Sequence, residues 1–106
     1  MDTLEKKSYY NILYGFYQNL LTEKQKLIFE DYYYEDFSLS EIAENHEISR
    51  NAVFDTLKKV EKALDNYEEL LGLNRKNQEL EKLLNSLSNY TDEQGKVIIQ
   101  KIREME

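Results

Sequence analysis

A chain of 106 residues buries roughly 60–70% of its unfolded surface on folding, so it has room for one core to which every element must give an apolar face. With 41% hydrophobic and 33% charged residues, no Pro, three Gly and no Cys, it suits packed helices, and it excludes disulfides, thiolate metal sites and cysteine nucleophiles. A formal charge of −7 and a pI of about 4.8 oppose duplex binding, because neutralising phosphates supplies most of such affinity.

The fold class expected is therefore all-α, in a reducing compartment, the cytoplasm. The N-terminus, Met1 to Lys7, lacks the unbroken apolar stretch of a signal peptide, and no run approaches the ~18 apolar residues of a membrane span, so no membrane insertion is expected. Tyr9, Ile12, Leu13, Phe16, Tyr17 and Leu20 follow helical spacing and predict a first helix to about Leu21. Thr22 and Gln25 form a capping-box pair, opening a second helix that turns Leu27, Ile28, Phe29 and Tyr32 inward until about Tyr34. Tyr32, Tyr33 and Tyr34 are consecutive, so at least one ring lies at the surface. Glu35 and Asp36 end that helix.

Residues 38–60 read as a helix-turn-helix. Ser38 caps a short helix over 39–45, Glu41 reaches back to the cap amide, and Phe37 staples onto Ile42. Ser49 repeats the signal eleven residues on, with Ile48 and Val53 as the second staple. Between them lies a tight turn at Asn45, His46 and Glu47, the proportions of a DNA-reading helix pair. The fourth helix is long. Val53, Leu57, Val60, Leu64, Tyr67 and Leu71 repeat every 3.5 residues on average and keep one narrow seam on a partner. Its half from Val53 to Val60 is needed for the local core, which leaves Leu64, Tyr67 and Leu71 as candidate contacts of a homodimer. Gly72 offers a left-handed cap. Two helices follow, one over about 74–88 and one opened by Thr91 and Gln94, with 86–92 polar enough to be a joint. The organisation expected is a helix-turn-helix domain with its N-terminal helix and long fourth helix over 1–72, and a helical extension over 73–106.

Opposite the seam lie Asn51, Asp55, Lys58 and Lys62. Asn51 can read adenine, Arg50 can bind guanine or a phosphate, and Lys58, Lys59 and Lys62 can line a nucleic-acid backbone. From 50 to 62 the side chains carry a net of two positive charges, a basic stripe on an acidic body. Asp55 repels phosphate and is placed to pair with Lys58 and Lys59 instead. Phe54 either closes the core edge or stands exposed as a contact residue. His46 alone makes neither a metal site nor a proton shuttle, and no nucleophile elbow or glycine-rich phosphate loop occurs. No catalytic residue, metal or cofactor is expected.

Leu21 to Gln25, Tyr34 to Ala43 and Ser49 to Asp55 resemble the fourth conserved region of sigma factors. Together with Glu61-Lys62 and Asp65 to Glu68 they resemble more closely the YlxM family of small bacterial proteins associated with the signal recognition particle, over about residues 10–71. The aromatic-Asp pair Phe54-Asp55 is the more specific feature. The resemblance implies a three- to four-helix core, winged-helix-like or sigma region four-like. It also implies a non-enzymatic cytoplasmic protein that contacts the particle's RNA, its GTPase or receptor. Departures are Glu47 where many such turns have Gly, His46 for an apolar residue, Asn51 where Gln is commoner, and a weak match beyond Gly72. The rival from another class is a sequence-specific transcription regulator that uses Arg50, Asn51 and Lys58 on duplex DNA.

Overall fold

Capping side chains set where four of the helices begin in the computed structural model, which describes residues 3–105; Met1 and Asp2 of the polar N-terminus, and Glu106, lie outside them. The described residues form six α-helices and a 3-10 turn, in the order α1 Thr3–Tyr17, the turn Gln18–Leu20, α2 Glu23–Tyr33, α3 Leu39–His46, α4 Arg50–Leu71, α5 Leu73–Ser88 and α6 Glu93–Glu104. No strand occurs among them, so the expected winged-helix likeness has no wing. Thr22 with Gln25, and Ser38 with Glu41, make complete capping boxes. Ser49 Oγ accepts from the Ala52 amide at 3.0 Å and starts α4 as its sequence position requires.

The chain divides into two compact units, Met1–Leu71 and Gly72–Glu106. In the first, α4 packs against α1, α2 and α3 around a core that includes Leu13, Ile28, Phe29, Ile42, Val53, Leu57, Val60 and Leu64. Each such fully buried side chain contributes about 1.5–3 kcal/mol relative to exposure. Between α3 and α4 the chain reverses at Glu47, a non-glycine residue with φ 55°. Its amide and that of Ile48 reach back to α3 carbonyls, which satisfies the helix end without Gly. His46 ends α3 rather than lying in the turn. Its Nε2 is 2.8 Å from Asp31 Oδ2, tying α3 to α2.

The inward faces of α1 and α2 differ from the hydrophobic reading. Tyr10, Leu13, Tyr14 and Tyr17 are buried, while Ile12, Phe16 and Leu20 are 48%, 36% and 53% exposed. The reason is chemical. A tyrosine can bury its ring and still satisfy its hydroxyl at the edge of the core, and here each hydroxyl finds a carboxylate. Tyr10 donates to Asp65 at 2.9 Å, Tyr17 to Glu68 at 2.7 Å, Tyr33 to Glu61, and Tyr14 to Glu30. Glu61, Asp65 and Glu68 stand at i, i+4 and i+7 on α4, one row that faces the tyrosines. On α2, Ile28, Phe29 and Tyr33 point inward, whereas Leu27 is exposed and Tyr32 only half-buried. Phe29 stacks between Tyr14 and Tyr33 at 4.3 and 4.2 Å, and Tyr34 is the ring left at the surface.

In the second unit, α5 and α6 pack together with Leu84 and Ile99 buried. Arg103 bonds Glu81 and Asn85 across the pair. The α6 cap is Asp92, which accepts from Gly95 at 2.9 Å, and not the Thr91/Gln94 pair. The Asp92 carboxylate takes the Gly95 amide, so the helix starts one residue later than the Thr91/Gln94 pair would set it. The stretch 86–92 holds the last turn of α5 and a hydrogen-bonded connection, not an open joint. Gly72 has φ 60°, the left-handed conformation its cap position requires.

Candidate nucleic-acid interface

The fixed start of α4 decides which side chains face outward. With Val53, Leu57, Val60 and Leu64 buried, Arg50, Asn51, Asp55, Lys58, Lys59 and Lys62 are all exposed. Asn51, Asp55, Lys58 and Lys62 thus share the face opposite the seam, with Arg50 and Lys59 at its two edges, about 180° apart around the helix. Its internal pairing differs from expectation: the ion pair of Lys58 is with Glu61 at 3.5 Å, not with Asp55. Glu61 competes better because it is buried, and Lys6 of α1 joins it at 3.3 Å. Three donors therefore meet that carboxylate: the Tyr33 hydroxyl and two ammonium groups. Burial first, then the bond to Glu61 and its charge, push the Tyr33 phenol well above its ordinary value.

Phe54 does not close the core edge. It is 47% exposed, because Val53 and Leu57 take the inward positions beside it and a residue next to the seam is turned by about 100°. The Lys58 ammonium lies 5.3 Å from its ring centroid, and the Lys7 ammonium of α1 lies 4.8 Å from the centroid of Tyr32 on α2. Lys6, Tyr32, Leu39, Phe54, Lys58 and Glu61 line a cleft of about 100 Å³ where the four helices meet.

The candidate dimer contacts are not left free as the seam suggested. Leu64 is completely buried in the core, and Tyr67 packs on it with its hydroxyl donating to the Leu20 carbonyl at 3.3 Å. α1 consumes that part of the seam, and Leu71 alone is exposed, at 49%. Sequence reasoning also missed the tyrosine–carboxylate row. Glu61, Asp65 and Glu68 stand at helical spacing, but their partners Tyr33, Tyr10 and Tyr17 come from two other helices, so no local spacing announces the pairs. Among the described residues no group of three or more His, Cys, Asp or Glu is placed to hold a metal ion, and no helix is long and apolar enough to cross a membrane.

A short capped helix, a tight turn and a longer helix that presents an exposed polar face define a helix-turn-helix protein. Comparison with known proteins agrees and is more specific. Residues 4–105 match the family UPF0122, described as helix-turn-helix, YlxM / p13 like, and the chain belongs to that family. It is 44% identical to a UPF0122 protein of Listeria innocua over 108 residues, covering 96% of this chain and 98% of the relative. It is 51% identical to the UPF0122 protein YlxM of Bacillus subtilis over 85 residues, 80% of this chain and 77% of that protein. The family match extends through α5 and α6, the segment beyond Gly72 that the sequence resemblance left unidentified.

Proposed function

We propose that this protein is a non-enzymatic cytoplasmic regulator of the signal recognition particle pathway, acting by contact with the particle's RNA, its GTPase or both. The supporting observation is the outward face of α4, where Arg50, Asn51, Lys58, Lys59 and Lys62 stand exposed together while Glu61, Asp65 and Glu68 are engaged by tyrosines. These carboxylates keep their charge but are turned toward the tyrosines of α1 and α2, while Lys59 and Lys62 reach solvent on the other side of the helix. Duplex reading by the same helix is the rival, favoured by the helix-turn-helix geometry and opposed by the exposed Asp55 carboxylate inside the stripe.

A pull-down from cell lysate with and without ribonuclease separates the cases. Wild type is expected to retain particle components, and a Lys59→Glu/Lys62→Glu variant to lose those that ribonuclease also releases. Retention of no particle component by wild type, with selective binding of a DNA duplex, refutes the proposal in favour of the rival.

Homodimerisation is proposed with its contact moved from the α4 seam to α1. Ser8 to Thr22 contains no Asp, Glu, Lys, Arg or His in a chain that is 33% charged. Its outer side shows Ile12, Phe16 and Leu20. Two copies at −7 each repel overall, and this face, which a second copy matches with the same uncharged surface, adds no local repulsion. Sedimentation at tens of micromolar, the range of weak dimers, is expected to show a dimer that Phe16→Glu dissociates. A wild-type monomer there ends the idea.

A further inference from the structure

The cleft where α1, α2, α3 and α4 meet has features that a groove-reading helix does not need. Phe54, in the midst of the polar face, leaves 47% of its surface in water. An exposed phenylalanine contributes nothing to a hydrogen-bond code, and its ring is the kind of surface on which an unstacked base lies. The cleft beside it also contains the Tyr32 ring and two ammonium groups, Lys6 and Lys58. These lysines are held at 3.3 and 3.5 Å from one buried carboxylate, Glu61, so two positive charges converge on a single negative one. The excess is one positive charge beside a half-exposed aromatic ring, over which the Lys58 ammonium lies 5.3 Å from the centroid.

Size narrows the occupant. A volume of about 100 Å³ falls well short of the roughly 300 Å³ at which pockets for cofactors begin, and near the ~150 Å³ cavity that accepts benzene. It holds one ring. Charge narrows it further, since the ring's own molecule must bring an anion to the lysines. A nucleotide combines a flat ring with a phosphate.

We propose that the cleft between Tyr32 and Phe54 receives one unstacked base of a single-stranded nucleic acid, stacked on Phe54, with Lys6 and Lys58 on the adjoining phosphate. Arg50, Phe54 and Lys58 follow at i, i+4 and i+8, about 6 Å apart along the axis, so the strand runs along α4 instead of the helix entering a groove. Asp55 then ceases to be an anomaly. It lies off this row and turns away the second strand that a duplex would bring. This inference rests on the nucleic-acid contact proposed above and specifies its mode.

The test uses the full chain with single-stranded RNA and DNA of about twelve nucleotides, oligopyrimidine with one central 2-aminopurine, and with duplexes of the same length. Wild type is expected to prefer the single strands and to change the 2-aminopurine fluorescence on binding. Phe54→Ala is expected to weaken single-strand binding by about five- to 150-fold, the range of one lost base–aromatic stack, and to abolish the fluorescence change. Phe54→Tyr is expected to retain both. A melt like that of wild type verifies that Phe54→Ala still folds, as its exposure predicts.

If Phe54→Ala binds like wild type while Lys59→Glu/Lys62→Glu binds weakly, the nucleic-acid contact stands and the stacking cleft is refuted. Preference for the duplex has the same meaning. If no oligonucleotide binds wild type at low salt, both the contact and the cleft proposal fall. Loss of a ribonuclease-resistant protein partner by Phe54→Ala, with oligonucleotide binding intact, gives the cleft to a protein side chain and overturns the inference.

Discussion

Replacing Tyr33 with phenylalanine removes one oxygen from a ring that is 5% exposed and leaves its stacking on Phe29 in place. The oxygen lost is the donor to Glu61, itself 7% exposed. A hydrogen bond to a charged group is worth about 1.5–3 kcal/mol, and an acceptor left buried costs its desolvation as well. Lys6 and Lys58 still face that carboxylate at 3.3 and 3.5 Å, so the lower part of that range applies, about 1.5–2 kcal/mol. For a unit of this size each kcal/mol moves Tm by about 4–8 °C, so a fall of roughly 6–16 °C is expected. Urea melts followed by circular dichroism at 222 nm measure it, with the midpoint lowered and the slope unchanged. A cycle with Glu61→Gln isolates the pair and is expected to give a coupling within about 0.5–3 kcal/mol. A change under about 0.5 kcal/mol in Tyr33→Phe, with no coupling, refutes the claim that the tyrosine–carboxylate row holds α4 to its neighbours.

Ser49→Ala removes the acceptor of the Ala52 amide and is expected to cost about 1 kcal/mol in the same melts; an unchanged midpoint means that another group takes over the start of α4. Stability is expected to fall as pH rises above about 10. The Tyr10, Tyr14 and Tyr33 phenols are raised, by burial first and their carboxylate partners second. The unfolded chain therefore loses protons that the folded chain keeps, so the stabilisation is complete below the ordinary tyrosine value and is lost toward the raised ones, by up to about 1.4 kcal/mol per pH unit for each group. Melts at about pH 9 and about pH 11 measure it, Tyr→Phe variants flatten the dependence, and equal stability at both values contradicts it.

What the sequence made legible is what depends on neighbours in the chain. Ser38 with Glu41, Ser49, and Thr22 with Gln25 announce helix starts because a cap bonds amides two or three residues away. The α4 seam was readable for the same reason, since Val53, Leu57 and Val60 repeat on a single helix. Elements meeting from distant positions were not. Ile12 and Phe16 outrank Tyr10 and Tyr14 on any hydrophobic scale, yet the tyrosines are inside, because their partners Asp65 and Glu30 lie 55 and 16 residues away. The seam also gave no hint that Leu64 would be covered by its own chain, for the period is the same whether the partner helix is internal or a second copy. The cleft at Phe54 was hidden likewise, as its walls come from four helices.

The charge that argued most strongly against nucleic acid is the feature the fold most changes. A count of −7 treats every carboxylate as equally present to a polyanion, but charges interact over distances set by screening, about 8–10 Å at ordinary salt. Glu61, Asp65 and Glu68 accept from tyrosines on the side of α4 that packs on α1 and α2, and Glu41 is engaged by its own cap. Lys59 and Lys62 point the other way, into solvent. An approaching phosphate therefore meets the local excess of the outer face before the surplus of the whole chain. Such a surface gives weak, salt-sensitive attraction, because few phosphates are neutralised, at a slope of about 0.7–0.9 per phosphate. Discrimination must then come from contacts that do not depend on charge, and on this helix Asn51 and the half-exposed Phe54 ring offer them.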